Sequence, residues 1–124
     1  MKLILDTHAA LWWLADDDRM GTQAAQQLTD ETNQVLLSAT VVWEVAIKRW
    51  LGKLTAPEDL VPTLLGGGAQ PLPVTLEHAA SVELLPQHHR DPFDRMLIAQ
   101  ALAEGASLVS RDEIFRPYGV SLVW

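Results

Sequence analysis

Residues Lys2 to Leu14 read KLILDTHAALWWL, and the two halves of this stretch follow different patterns. Lys2 to Leu5 is a short apolar run of the kind that a parallel sheet buries on both faces. Asp6 interrupts the run, and Thr7 can cap a helix expected over His8 to Ala15. A strand that stops at an acid and passes directly into a helix is a building unit of open α/β sheets. Such sheets collect their ligands beyond the carboxyl ends of the strands.

The same grammar recurs along the chain. Asp16, Asp17 and Asp18 suit a solvated loop, followed by a helix expected from Thr22 to Thr32. Val35 to Ser38 reads as a second strand, and Thr40 starts a helix that runs through Trp50 and stops at Gly52. Leu60 to Leu65 forms a short helix ending at Gly66, Gly67 and Gly68. A third strand is expected over Leu72 to Val74, which Pro71 and Pro73 assign to a sheet edge. Thr75 caps a helix expected to reach Leu84. Asp91 as cap and Pro92 at the first position open a strong helix to Glu104, closed by Gly105. Ser107 to Val109 and Ser121 to Val123 complete the strands. The expected class is α/β: one domain, 1–124, in three layers, with a central, mostly parallel five-stranded sheet flanked by helices.

Composition narrows the chemistry. A chain of 124 residues that is 48% apolar can build a real core without staples. The absence of cysteine excludes disulfides, thiolate metal sites and cysteine nucleophiles. The apolar start lacks a small-residue cleavage site after Asp6, and no apolar segment approaches the ~20 residues of a membrane span. A soluble, cytoplasmic protein without membrane contact is expected. The net charge of −7 opposes nucleic-acid binding. Divalent cations held by the acids would offset part of it, and Lys48, Arg49, Lys53, Arg90, Arg95, Arg111 and Arg116 cluster near particular acids.

Those acids are Asp6, Glu44, Asp94 and Asp112, each at a strand end or near a helix start. Every one has a structural explanation. Asp6 can cap a helix, Glu44 can pair with Lys48 at i+4, Asp94 falls at the third helical position, and Asp112 can cap a short turn over Glu113 to Phe115. Yet Asp94 also continues the apolar stripe of Leu97, Ile98 and Ala101, so its side chain is expected to face the strand ends. Four carboxylates meeting at one sheet edge repel one another unless a hard divalent cation sits between them. Oxygen-only ligation suits Mg2+ or Mn2+ rather than zinc, and one or two such ions can drive hydrolysis of a phosphodiester, with RNA the expected substrate.

Other signals are weaker. His88 and His89 lack the second cluster that a zinc site needs. Gly66 to Gly68 lacks the lysine of a phosphate loop. Trp12, Trp13, Trp43 and Trp50 fall at helical spacing and are expected in the core or at a homodimer contact.

The segments ILDTHAALWWL, VVWEVAIK, HHRDPFDRMLIAQALAEG and LVSRDEIF closely resemble the signature segments of PIN-domain proteins, in particular the VapC toxins of bacterial toxin–antitoxin pairs. The likeness spans Lys2 to Trp124. It implies a PIN fold and a Mg2+- or Mn2+-dependent endoribonuclease that cuts by metal-activated water, with release of a 3′-hydroxyl. It also implies a homodimer held inactive by a VapB-like antitoxin. By position, Asp6, Glu44, Asp94 and Asp112 match the four family acids. Asp6 and Asp94 are then direct metal ligands, with Glu44 and Asp112 completing the site directly or through water. Asp91 lies in the third segment without matching its acid, and Ser110 stands where many relatives carry threonine. The competing expectation is a PIN-like module that binds metal or a partner and cleaves nothing.

Overall fold

The computed structural model describes residues 1–124. Five strands, β1 (Lys2–Leu5), β2 (Gln34–Ser38), β3 (Gln70–Leu72), β4 (Ser107–Val109) and β5 (Leu122–Val123), form one sheet in the order β3-β2-β1-β4-β5. All four neighbouring pairs are parallel. Six α-helices accompany them: α1 (Thr7–Leu14), α2 (Thr22–Thr29), α3 (Ala39–Trp50), α4 (Leu60–Gly66), α5 (Leu76–Ser81) and α6 (Pro92–Glu104).

The central strand explains the layering. Leu3, Ile4 and Leu5 are all fully buried. Successive strand residues point to opposite faces, so both faces of β1 must be covered. On one side of it the chain steps outward through β2 to β3. It then returns through α6 and lays β4 on the opposite flank, with Leu5 beside Val109. The direction of winding reverses between β1 and β4, and such a reversal opens a crevice at the carboxyl ends of the two strands. Asp6 and Ser110 both begin there, and the Asp6 N–H donates to Val109 O at 3.1 Å.

Several local expectations need correcting. The third strand is Gln70–Leu72 and not Leu72 to Val74. Pro73 has no N–H to continue the ladder, and its carbonyl instead accepts from the Gln100 side chain. Helix α2 stops at Thr29, because the Asp30 carboxylate accepts from the Thr32 N–H and hydroxyl and closes a turn. The last turn expected of α5 tightens into a 3₁₀ segment, Val82–Leu84. The cap of α1 is Asp6 itself, with Thr7 already helical.

Two of the tryptophans lie outside the core. Trp12 is buried and Trp13 half-buried, but Trp43 is 58% and Trp50 84% exposed. Helix α3 turns Val41 and Val45 inward, and Trp43 lies edge-on against Phe93, 5.1 Å away.

Candidate active site

Each expected acid is placed by a local rule and then drawn into the crevice beyond β1 and β4. Asp6 occupies the N-cap of α1, where its Oδ1 accepts from Ala9 N at 2.7 Å. The residue is 9% exposed. Burial pushes its carboxyl above the usual range, against the Ser110 hydroxyl and the Ala9 N–H, and the nearby Asp112 adds repulsion. Asp112 is held by a short turn in which its N–H donates to Ser110 Oγ at 3.0 Å. Its Oδ1 in turn accepts from Ile114 N, starting the 3₁₀ segment Glu113–Tyr118.

Glu44 lies in the middle of α3 and is only 7% exposed. Thr7 Oγ1 donates to its Oε1 at 2.6 Å, and Lys48 Nζ donates to its Oε2 at 2.5 Å. The i+4 ion pair is therefore real, but it joins a buried carboxylate and not a surface one.

Asp94 stands at the third position of α6. Asp91 caps the helix, its Oδ1 accepting from Phe93 N at 2.8 Å and Asp94 N at 3.2 Å, with Pro92 between. His89 Nε2 donates to Asp94 Oδ2 at 2.8 Å. Burial raises the Asp94 carboxyl to about 6; Asp91 and Glu44 push the same way, and His89 opposes them.

All four acids line one cleft of about 610 Å³, joined by Asp91 and Glu113. Only two cationic side chains, Lys48 and Arg111, line it with them. The tightest cluster differs from the expected quartet. His89, Asp91 and Asp94 offer ligand atoms within 4.8 Å of one another, whereas no three of Asp6, Glu44, Asp94 and Asp112 converge so closely. Sequence reasoning therefore missed His89 as a partner of Asp94 and Asp91 as a wall of the cleft. Their proximity in HHRDPFD was the available signal.

A hard divalent cation fits this donor set. Its oxygens are carboxylates, two of them held above their ordinary pKa chiefly by burial, with neighbouring acids adding to the shift. The width of the cleft leaves room for water to complete the coordination of Mg2+ or Mn2+.

Comparison with known proteins gives a consistent picture. The PIN domain family model matches residues 3–120. Over 122 residues the chain is 29% identical to Ribonuclease VapC22 from Mycobacterium tuberculosis, covering 94% of this chain and 91% of that protein. Among solved structures, VapBC2 from Rickettsia felis bound to a promoter DNA fragment superposes with a TM-score of 0.71 at 16% identity, covering 98% of this chain and 97% of that one. DNA-bound VapBC from Salmonella typhimurium gives 0.70 at 16% identity, covering 98% and 96%. Likeness at such identities establishes a shared fold and nothing finer.

Proposed function

Since the chain belongs to the PIN domain family, we propose that it is a metal-dependent endoribonuclease, the toxin of a toxin–antitoxin pair, with Asp6, Glu44, Asp94 and Asp112 as its acidic site. One observation carries the reading above all: four acids as far apart in the chain as Asp6 and Asp112 line a single cleft at a winding reversal of the sheet. A relative that bears the name ribonuclease supports the activity. Neighbours solved as VapBC complexes support a VapB-like antitoxin as partner, and an acidic cleft suits the entry of a basic antitoxin side chain. No helix is long and apolar enough to cross a membrane. We place the protein in the cytoplasm, as a homodimer.

In this mechanism Asp6 and Asp94 would hold the cation, Mg2+ or Mn2+, and Glu44 and Asp112 would complete its surroundings directly or through water. The chemistry such a cation would supply there is Lewis-acid: a lowered pKa for water and offset of negative charge developing on the phosphate. The chain's own groups arrange this. The Ala9 N–H and the Ser110 hydroxyl orient Asp6, and His89 fixes one oxygen of Asp94. Thr7 and Lys48 stop Glu44 from rotating away. Burial of Asp6 and Glu44 limits the screening of their charge by bulk solvent.

The test is cleavage of total cellular RNA with Mg2+ or Mn2+, comparing the natural protein with Asp94→Asn. Loss of roughly 100-fold or more in rate, with folding intact, is expected, since outer-sphere partners alone are worth 10–100-fold. Retained cleavage in the variant refutes the site. Cation binding without any cleavage by the natural protein favours the non-catalytic module.

A further inference from the structure

The cleft is acidic and the whole chain carries −7, so an incoming polyanion needs a local positive charge that is free to meet it. Most of the nine lysines and arginines are already engaged. Carboxylates hold Lys2, Arg19, Lys48 and Arg116, and main-chain carbonyls hold Arg49 and Arg95. Lys53, Arg90 and Arg111 remain. Of these three, Arg111 alone lines the cleft.

Arg111 is exposed, yet it does not hang loosely in solvent. Its guanidinium carbon sits 4.6 Å from the centroid of the Trp12 ring. Trp12 is buried and packs edge-on against Trp124 at 5.7 Å, so the indole is a fixed seat. Cation–π stacking engages the face of a guanidinium and leaves its N–H edges free to donate. The exposed ring of His8 stacks on the same indole at 5.3 Å and carries the platform inward to Asp6, two residues before it. Arg19 also approaches Trp12, at 4.9 Å, but its fork is occupied by Asp17.

The geometry points to Arg111, seated on Trp12, as a phosphate-binding residue for the RNA strand, gripping a phosphate next to the bond that is cut. The inference rests on the ribonuclease reading above and adds a substrate contact to it. Arg111 follows β4 after a single residue, Ser110, and is adjacent to Asp112, so the grip and the acidic site share one short turn. An arginine here attracts the strand without neutralising the carboxylates, because its charge is anchored on the indole at the rim.

The experiment measures binding of a short labelled single-stranded RNA by fluorescence anisotropy, with Ca2+ in place of the active cation, at several KCl concentrations. Arg111→Gln keeps length and polarity and removes the charge. Its Kd for RNA is expected to rise about tenfold, the loss of one charge-assisted contact. The slope of log Kd against log salt is expected to fall by about 0.7, one released counterion on a single strand. In turnover, KM rises and kcat stays put. Arg111→Lys restores the salt slope but only part of the affinity, since an ammonium stacks and forks less well. Natural affinity and natural slope in Arg111→Gln overturn the proposal, as does a fall in kcat with unchanged KM. Binding of an oligoglutamate peptide that Arg111→Gln abolishes, with RNA binding unmoved, also overturns it and assigns the residue to an acidic protein partner. RNA that the natural protein binds through Arg111 but never cuts refutes the ribonuclease reading and leaves this contact standing.

Discussion

The hydroxyl of Thr7 donates to Glu44 Oε1 at 2.6 Å across 37 positions of sequence, and so ties the first turn of α1 to the middle of α3. Lys48 serves the other oxygen of the same buried carboxylate. Thr7→Val keeps the shape but leaves Oε1 without a donor, which is expected to destabilise the fold by about 1.5–3 kcal/mol, the range for bonds to charged groups. Thr7→Ser keeps the donor and should lose well under half of that. Urea unfolding of both variants checks the prediction, and equal losses would contradict it.

The raised carboxyls make metal-free stability depend on pH in a definite direction. Asp94 holds its proton up to about 6 in the folded protein, against 3.8 as the ordinary value, chiefly through burial; Asp6 is raised by the same cause. The folded state therefore binds these protons more tightly than the unfolded chain. The contribution of Asp94 is fully present below the ordinary value and is lost as pH rises through about 6; that of Asp6 runs in the same direction. In metal-free protein, Asp94→Asn should melt no lower than the natural protein at about pH 7, and the gain should vanish towards about pH 4. Mn2+ should raise Tm at neutral pH and lose this effect below about pH 6, because its ligands must be deprotonated. Calorimetric scans with and without Mn2+ give the answer. An Asp94→Asn variant that melts below the natural protein at neutral pH, free of metal, would show the carboxylate to be stabilising.

Arg95 gathers the stretch that presents His89. Its guanidinium donates to the carbonyls of Val82 and Pro86 at 2.9 Å, and to those of Leu85 and His89 at 3.3 Å. Lysine has no planar fork to reach so many acceptors. Arg95→Lys is expected to cost about 1–3 kcal/mol through unsatisfied carbonyls. It should also speed hydrogen exchange across residues 82–90 and weaken Mn2+ binding about 10-fold, since His89 no longer steadies Asp94. His89→Gln, which can still donate to Asp94, should bind Mn2+ better than His89→Ala.

Gly21 has no room for a side chain. A Cβ there would lie 2.3 Å from Trp124 O and 2.7 Å from Trp124 Cδ1. Its φ of −64° is ordinary, so the objection to alanine is contact and not backbone strain. Trp124 O also accepts from Ala24 N at 3.0 Å, which pins the chain end to α2. Gly21→Ala is expected to destabilise by about 1–3 kcal/mol, the usual range for overpacking. A loss of this size should appear directly in thermal melts.

Much of the fold was legible because its signals are local. The apolar run of Lys2–Leu5, the Asp91–Pro92 helix start and the Gly105 stop each act within a few residues, and the elements fall where they were expected. Strand β3 slipped because two prolines flank one leucine, and only the partner strand decides which of them ends the ladder. The four acids could be named, and the cleft they line followed from the parallel sheet. Their partners could not. Thr7 with Glu44 and Arg111 over Trp12 are long-range contacts, set by packing and leaving no spacing in the sequence to read. His89 was nearer in sequence, but an imidazole five residues ahead of an acid can point anywhere until Arg95 fixes the turn between them.

The sheet order has a consequence for synthesis. Since β1 leaves the ribosome early and β4 must slide in beside it from the far end of the chain, the crevice cannot close until nearly all of the protein has been translated. At ordinary elongation rates of roughly 5–20 residues per second, that gives an interval of about 5–20 seconds between the appearance of Asp6 and that of Asp112. Truncated products that stop before β4 lack Asp112 and the β4 side of the crevice.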